Sequence, residues 1–250
     1  MKIAVCIKAV PDTATGRRID PATLRLDRSG DLALSDYDAH AVEEALALRD
    51  SGLADEVVLV SVGPANANDA LRKALAMGAD RALLVSDETL AGADLLVTSK
   101  ALANVLAKEA SDLVLFGQQS ADGEGACLWA AVADRLELPI ISQVSELTVE
   151  GGIASGRRQT EFGYETIRAP LPAVVAVSDA INEPRYPSLK GIMGAKSKPQ
   201  EILAATEPGS SGTSVLGLGA APARGGSRRI EDAGSAAETI VEFLVERRLL

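Results

Sequence analysis

The chain has 250 residues, 47% hydrophobic and 24% charged, with a formal net charge of −10 and a pI near 4.7. That length and apolar content suffice to bury one large core, and the acidic balance excludes general binding to a nucleic-acid backbone. Only 3% is aromatic, so Ala, Val and Leu must fill the interior, and such small residues suit helices packed closely on a parallel sheet.

The N-terminus, MKIAVCIKAVPD, has a short apolar run and no small-residue cleavage site. No signal peptide is expected, no stretch is long enough to span a bilayer, and the expected location is the cytoplasm. Lys2 to Lys8 reads as a buried first strand. Pro11 to Ser35 is polar and reads as a long excursion, with a short hairpin around Ser29-Gly30. From Tyr37 to Asp50, Ala41, Val42, Ala45, Leu46 and Leu48 form one helical stripe. Glu56 to Val62 is a strand ended by Gly63-Pro64. Asn66 to Met77 is a helix with Leu71, Ala74 and Leu75 inward and Gly78 as its stop.

The same rhythm continues through a strand at Arg81 to Val85, a helix at Leu95 to Ala110 and a strand at Asp112 to Phe116. The Gly-rich loop Gly117 to Gly125 opens a helix running to about Leu136, and Ile140-Ile141 begins another strand. Strand alternating with helix predicts an α/β fold built on a parallel, right-handed βαβ sheet. After Val144, SELTVEGGIASGRRQT alternates around Gly151-Gly152 as a hairpin extension. Glu165 to Arg168 and Ala173 to Val177 add strands. Residues 1–208 thus form the main domain. Gly209 to Gly234 reads as a flexible linker, and 235–250 as a helix. There Ser235 and Glu238 are expected to form a capping box, and Ala237, Ile240, Val241 and Leu244 form an apolar stripe that needs a surface, expected to be that of a partner subunit.

In open parallel sheets, ligands bind at the carboxyl ends of the strands where strand order reverses. The loop GQQSADGEGACL follows a strand and precedes a helix, so its amides can receive a phosphate. Gly117, Gly123 and Gly125 either admit an anion to the backbone or merely shape a tight turn. Asp122 and Glu124 oppose a simple phosphate cradle, and Asp122 is read as a helix cap. Cys6 and Cys127 match no metal or redox spacing and are read as buried small hydrophobes in a reducing compartment. His40 is read as an exposed helical residue with no nucleophile paired to it. Asp36 and Asp38 suit a helix N-terminus, Tyr37 either stacks on a ligand or staples the helix, and Trp129 belongs to the core.

Between Ile181 and Lys198 the loop carries Arg185, Lys190, Lys196 and Lys198 against Glu183, a local charge of +3. Leu189, Ile192 and Met193 lie among those charges. The loop is either a docking site for an acidic partner or a solvated loop whose apolar residues fold back. No Ser/His/Asp order, Cys/His pair or metal-ligand spacing is visible, which favours binding over catalysis.

Several segments together resemble the β subunit of electron-transfer flavoproteins. They are KAVPD, AVEEAL, VSVGPA with ALAMGADRA, DLVLFGQQSADGEG and, above all, LPAVVAVSDAINEPRYPSLKGIMGAKSK. The resemblance covers the chain to about Pro208. It implies a Rossmann-like, HUP-type nucleotide-binding domain in an αβ heterodimer, an electron carrier without catalytic residues of its own. The α subunit mainly holds the redox-active FAD, and the β subunit binds AMP structurally, or a second FAD in electron-bifurcating relatives. Electrons come from acyl-CoA or other flavin dehydrogenases, as in fatty acid oxidation, and leave through a membrane quinone oxidoreductase to the respiratory chain.

Carried onto this chain, the resemblance implies a nucleotide site of Cys6, Ser35, Asp36, Tyr37, Asp38, Val62 and the loop Gly117, Gln118, Gln119, Ser120, Ala121, Asp122, Gly123, Glu124, Gly125, Ala126, Cys127 and Leu128. Tyr37 falls where the family places an aromatic near the flavin. Partner recognition falls to Asn182, Pro184, Arg185, Tyr186, Leu189, Lys190, Ile192 and Met193, with Leu189 as the apolar anchor. The sequence departs from the mitochondrial type in reading SADGEGACL in its nucleotide loop and in ending its recognition loop GAKSK. Two other classes compete: an ATP-cleaving enzyme, which needs an SGGxDS-type loop that KAVPDTATG does not supply, and a nucleotide-sensing, universal-stress-like homodimer.

Overall fold

The computed structural model describes all residues except 13–15, 208, 220, 221, 223–228 and 230–233. In chain order the first elements are β1 (Lys2–Cys6), β2 (Ala9–Pro11), β3 (Ile19–Asp20), β4 (Arg25–Leu26), β5 (Leu32–Leu34), α1 (Asp36–Asp50) and β6 (Glu56–Val62). Then come α2 (Asn68–Met77), β7 (Arg81–Val85), α3 (Leu95–Glu109), β8 (Leu113–Gly117) and α4 (Leu128–Leu136). The remainder are β9 (Ile140–Glu150), β10 (Ile153–Thr160), β11 (Gly163–Pro170), β12 (Ala173–Val177), α5 (Leu189–Ala195), β13 (Gln200–Leu203) and α6 (Ala236–Glu246).

Nine strands form one sheet in the order β11-β10-β9-β12-β8-β1-β6-β7-β13. From β9 to β13 every pairing is parallel, as the alternation of strand and helix predicts. β10 pairs antiparallel with both β9 and β11. The turn at Gly151 and Gly152, with φ of 56° and 76°, has the two left-handed residues of a tight hairpin.

Successive strand residues serve opposite cores, which is why these strands read as continuous apolar runs. Ile3, Val5, Val57, Leu59, Leu113 and Leu115 join the α1 and α2 residues Val42, Leu46, Leu71 and Leu75. Ala4, Cys6, Val58, Val60, Val114 and Phe116 join Leu102 and Leu106 of α3 and Val132 of α4. The sheet is thus covered on both faces. No helix among the described residues is long and apolar enough to cross a membrane.

The excursion folds differently from the expected hairpin at Ser29-Gly30. Its hairpin is β3–β4, while β2 pairs with β5. Ser29 lies in a local turn where the Asp27 carboxylate accepts its amide at 2.9 Å and its hydroxyl at 2.7 Å. The short polar side chain of Asp27 captured the backbone of Ser29 there, in competition with strand pairing.

Two compact units are present, Met1–Val215 and Leu216–Leu250. The first runs past residue 208 because Ser211 and Gly212 are tied to the α3 start. The Ser211 hydroxyl accepts the Asp94 amide at 2.9 Å, and the Asp94 carboxylate accepts the Gly212 amide at 2.8 Å. Much of the expected linker lies outside the described residues. In the second unit α6 forms, but without the expected capping box: Ser235 makes no side-chain cap bond. Its carbonyl accepts both the amide and hydroxyl of Thr239 instead.

Candidate nucleotide site

The chain runs from β1 outward through β6 to β7, then returns to place β8 on the other side of β1. Strand order therefore reverses between β1 and β8, and the crevice expected of such a sheet lies beyond their carboxyl ends at Cys6 and Gly117. Ser35, Tyr37 and Asp38, at the start of α1, fill its floor. Ser35 is fully buried. Its amide donates to the Lys8 carbonyl at 3.1 Å, and its hydroxyl accepts the Ala121 amide at 3.2 Å. Ser35, at the N-cap position of α1, thus joins the helix start to the far loop.

Asp38 makes the second junction. Its carboxylate is 6% exposed and accepts the Lys8 amide at 2.7 Å. Burial pushes its pKa up to about 7, against hydrogen bonds from the Lys8 and Gly117 amides and the nearby Lys8 charge. Burial, reinforced by Asp38, also pushes the Cys6 thiol well up, so Cys6 is a protonated wall residue. Gly117 is required by this packing. A Cβ there would lie 2.6 Å from both the Asp38 Oδ1 and the Tyr37 carbonyl carbon. The space it leaves is taken by the α1 start, not by a bound anion. Tyr37 accepts a hydrogen bond from Gln119 through its hydroxyl at 3.1 Å, while Asp36 is exposed. Val62 ends β6 at the adjacent strand.

The loop from Gln118 to Cys127 is held at several points. The Gln118 amide donates to Val177 at 2.8 Å, and the Gln118 carbonyl accepts the Trp129 indole N–H at 2.9 Å. Trp129 packs against the second core, as expected. Ser120 Oγ accepts the Gly123 amide at 3.3 Å and the Lys8 ammonium at 3.3 Å. Glu124 and Ala126 take left-handed φ values of 49° and 43°, and Gly125 faces open space.

Asp122 does not cap a helix. α4 begins only at Leu128, with Cys127 at its N-cap making no side-chain cap bond. Asp122 instead accepts Lys8 Nζ at 2.8 Å and the Arg28 guanidinium, with its side chain 2% exposed. Burial raises its pKa, but Lys8, Ser120 and Arg28 outweigh burial and hold the carboxyl below its usual value. Arg17 donates to the Ala121 carbonyl. Arg17 and Arg28 are the site residues that sequence reasoning missed. The polar excursion alternates Arg with Asp, and nothing in its spacing marks which Arg reaches the loop. Cys127 also departs from expectation: Cys6 is buried, but Cys127 is exposed because it precedes the helix rather than facing the core.

The second cluster sits around α5. Tyr186 is 93% exposed, Leu189 82%, Met193 76% and Ile192 50%. The apolar residues therefore point outward rather than fold back. Lys190 and Lys196 are exposed beside them. Arg185 is not a free cation: it meets Glu43 at 2.8 and 2.9 Å and Asp50 at 2.9 Å. Lys198 donates to the Leu75 and Ala79 carbonyls at 2.9 and 2.6 Å, at the end of α2. Asn182 bonds the His40 carbonyl and the Glu44 carboxylate, each at 3.1 Å, and its carbonyl oxygen lies 3.2 Å from the His40 ring. His40 is accordingly half-buried and partnered rather than exposed. Pro184 is half-buried beside these anchors.

The sequence matches the family described as "Electron transfer flavoprotein domain" over residues 23–208. It is 38% identical to the electron transfer flavoprotein subunit beta of Mycobacterium tuberculosis, with 99% of each chain covered. It is 39% identical, at the same coverage, to the protein of that name from Mycobacterium leprae. It is also 37% identical to the caffeyl-CoA reductase-Etf complex subunit CarD of Acetobacterium woodii, over the full length of both.

Proposed function

Because the chain belongs to the electron transfer flavoprotein β-subunit family, we propose that it is the β half of a heterodimeric electron carrier. It holds an adenine nucleotide in the β1–β8 crevice and docks a donor dehydrogenase through α5. The observation carrying this reading is the separation of the two surfaces. A phosphate-competent crevice with Lys8 and Arg28 at the strand-order reversal stands apart from an outward cluster of Tyr186, Leu189, Ile192 and Met193.

The residues present fit an adenylate. Lys8 and Arg28 supply cations, and at the start of α4 the Ala130 and Ala131 amides donate to the Cys127 carbonyl, while the Leu128 and Trp129 amides receive no side-chain cap from Cys127. The open backbone at Gly125 leaves room at the same loop. AMP is the expected ligand in this subunit. A flavin on the α subunit would supply the one- and two-electron chemistry when bound. This chain's residues orient and shield. Tyr37, held by Gln119, presents an aromatic ring beside the crevice. Arg185 and Lys198 fix the ends of the recognition segment, and Leu189 supplies the anchor for a flavin dehydrogenase, including those that oxidise acyl-CoA. A membrane quinone oxidoreductase is the proposed acceptor. The exposed stripe of α6, with Ile240 49% and Val241 51% exposed, is proposed to pack on the α subunit.

Co-expression with an α subunit, followed by a visible spectrum and quantitation of bound nucleotide, tests the reading. One FAD and one AMP per heterodimer is the expected result. Two FAD would favour the second reading, an electron-bifurcating carrier, which the resemblance to CarD supports. A colourless homodimer would overturn both.

A further inference from the structure

The most unusual charge arrangement in the molecule is the buried carboxylate beneath the crevice. The Asp122 side chain is 2% exposed, while the Lys8 and Arg28 side chains that grip it are 40% and 33% exposed. The carboxylate is therefore fixed underneath, and the two cations reach toward solvent above it. The two ion pairs outweigh burial, keep it ionised and hold it in place. The groups around the crevice are balanced overall. Lys8, Arg28 and Arg17 are matched by Asp122, by Glu124 in the same loop and by Asp36 in the first turn of α1.

We propose that Asp122 is a specificity-determining residue of the nucleotide crevice, tuning it to adenylates that carry a single phosphate group and rejecting nucleoside triphosphates. This rests on the nucleotide-binding reading above. Lys8 and Arg28 together carry two positive charges, and Asp122 cancels one. A single phosphate adds about two negative charges and meets Lys8, Arg28 and the outermost amides of α4. Each further phosphate adds negative charge to a set of groups that is already balanced and that includes the carboxylates of Asp122, Glu124 and Asp36. Like charges brought together in a partly desolvated site are strongly unfavourable, so selectivity arises from repulsion rather than from an added attraction. Such a filter matters for a site that must stay filled by a structural ligand in the presence of abundant ATP.

The test uses the heterodimer with its α-subunit flavin loaded and measures displacement of labelled AMP by unlabelled AMP and by ATP. The wild type should retain AMP against ATP. In Asp122→Asn the ATP affinity should rise relative to that of AMP by at least about tenfold, equivalent to about 1.4 kcal/mol. Asp122→Glu should keep the discrimination. An independent arm needs no variant: because the filter is electrostatic, added salt should narrow the AMP-to-ATP ratio of the wild type. Equal effects of Asp122→Asn on both nucleotides would overturn the proposal. If that variant does not fold, a salt-independent ratio overturns it. A wild type that binds no labelled AMP would show instead that the underlying nucleotide reading is wrong.

Discussion

Asp38 and Leu189 show how differently two single residues act in this chain. The Asp38 pKa of about 7 lies far above the ordinary aspartate value of 3.8, so the folded state binds a proton that the unfolded state releases. Its contribution to stability is full below the unfolded value and is lost as pH rises through about 7. Asp38→Asn should remove that dependence. Denaturant unfolding of wild type and variant should diverge by roughly 2–3 kcal/mol between about pH 5 and about pH 8, with the variant gaining relative to wild type at the higher pH. Parallel profiles would mean that Asp38 titrates normally. Leu189, at 82% exposed, has no comparable part in folding. Leu189→Ala should change stability by less than about 0.5 kcal/mol and leave the flavin spectrum intact, yet slow reduction by the donor dehydrogenase. An unchanged reduction rate at limiting carrier would remove Leu189 from the docking surface.

At the scale of elements, α5 is a short helix that could not persist alone. It is held by the Ser188 cap, whose hydroxyl accepts the Gly191 amide at 3.0 Å, and by close approach to α2. A Cβ on Gly191 would lie 2.3 Å from the Ala76 carbonyl oxygen, and that backbone oxygen cannot yield without moving α2. Gly191→Ala should therefore cost about 1–3 kcal/mol by overpacking and weaken donor docking more than Leu189→Ala does, although Gly191 presents no side chain. Thermal unfolding together with donor-reduction kinetics checks both halves. Arg185 and Lys198 explain why the basic loop is less available than its composition suggests. One is committed to Glu43 and Asp50, the other to carbonyls of the α2 end.

For the molecule as a whole, the crevice joins β1, the α1 start and the loop after β8, so a ligand bound there engages segments distant in sequence. A nucleotide that binds only the native state should stabilise it by about 2.7 kcal/mol at a hundredfold excess over its dissociation constant. A rise in the thermal midpoint of the heterodimer with added AMP measures this. No rise at saturating AMP would argue against a structural role for the ligand. The central sheet provides the rigid frame, because its strands are buried on both faces and the crevice is built from their ends.

The amino-acid sequence by itself determined the alternation of strands and helices, the inward faces of α1 and α2, and the Gly151-Gly152 hairpin. Each follows from local periodicity and turn chemistry, which are properties of neighbouring residues. It also carried the Gly117–Leu128 loop and the segment around α5 as recognisable strings. Only the tertiary structure decided which charges meet: Lys8 and Arg28 on Asp122, Arg185 on Glu43, and Asn182 beside His40. Those pairs span up to 142 residues, and a polar excursion offers several arginines of equal local character. The same holds for Gly117, whose requirement comes from Tyr37 and Asp38 pressing against it. Contacts of that kind exist only after strand order brings the α1 start against the end of β8.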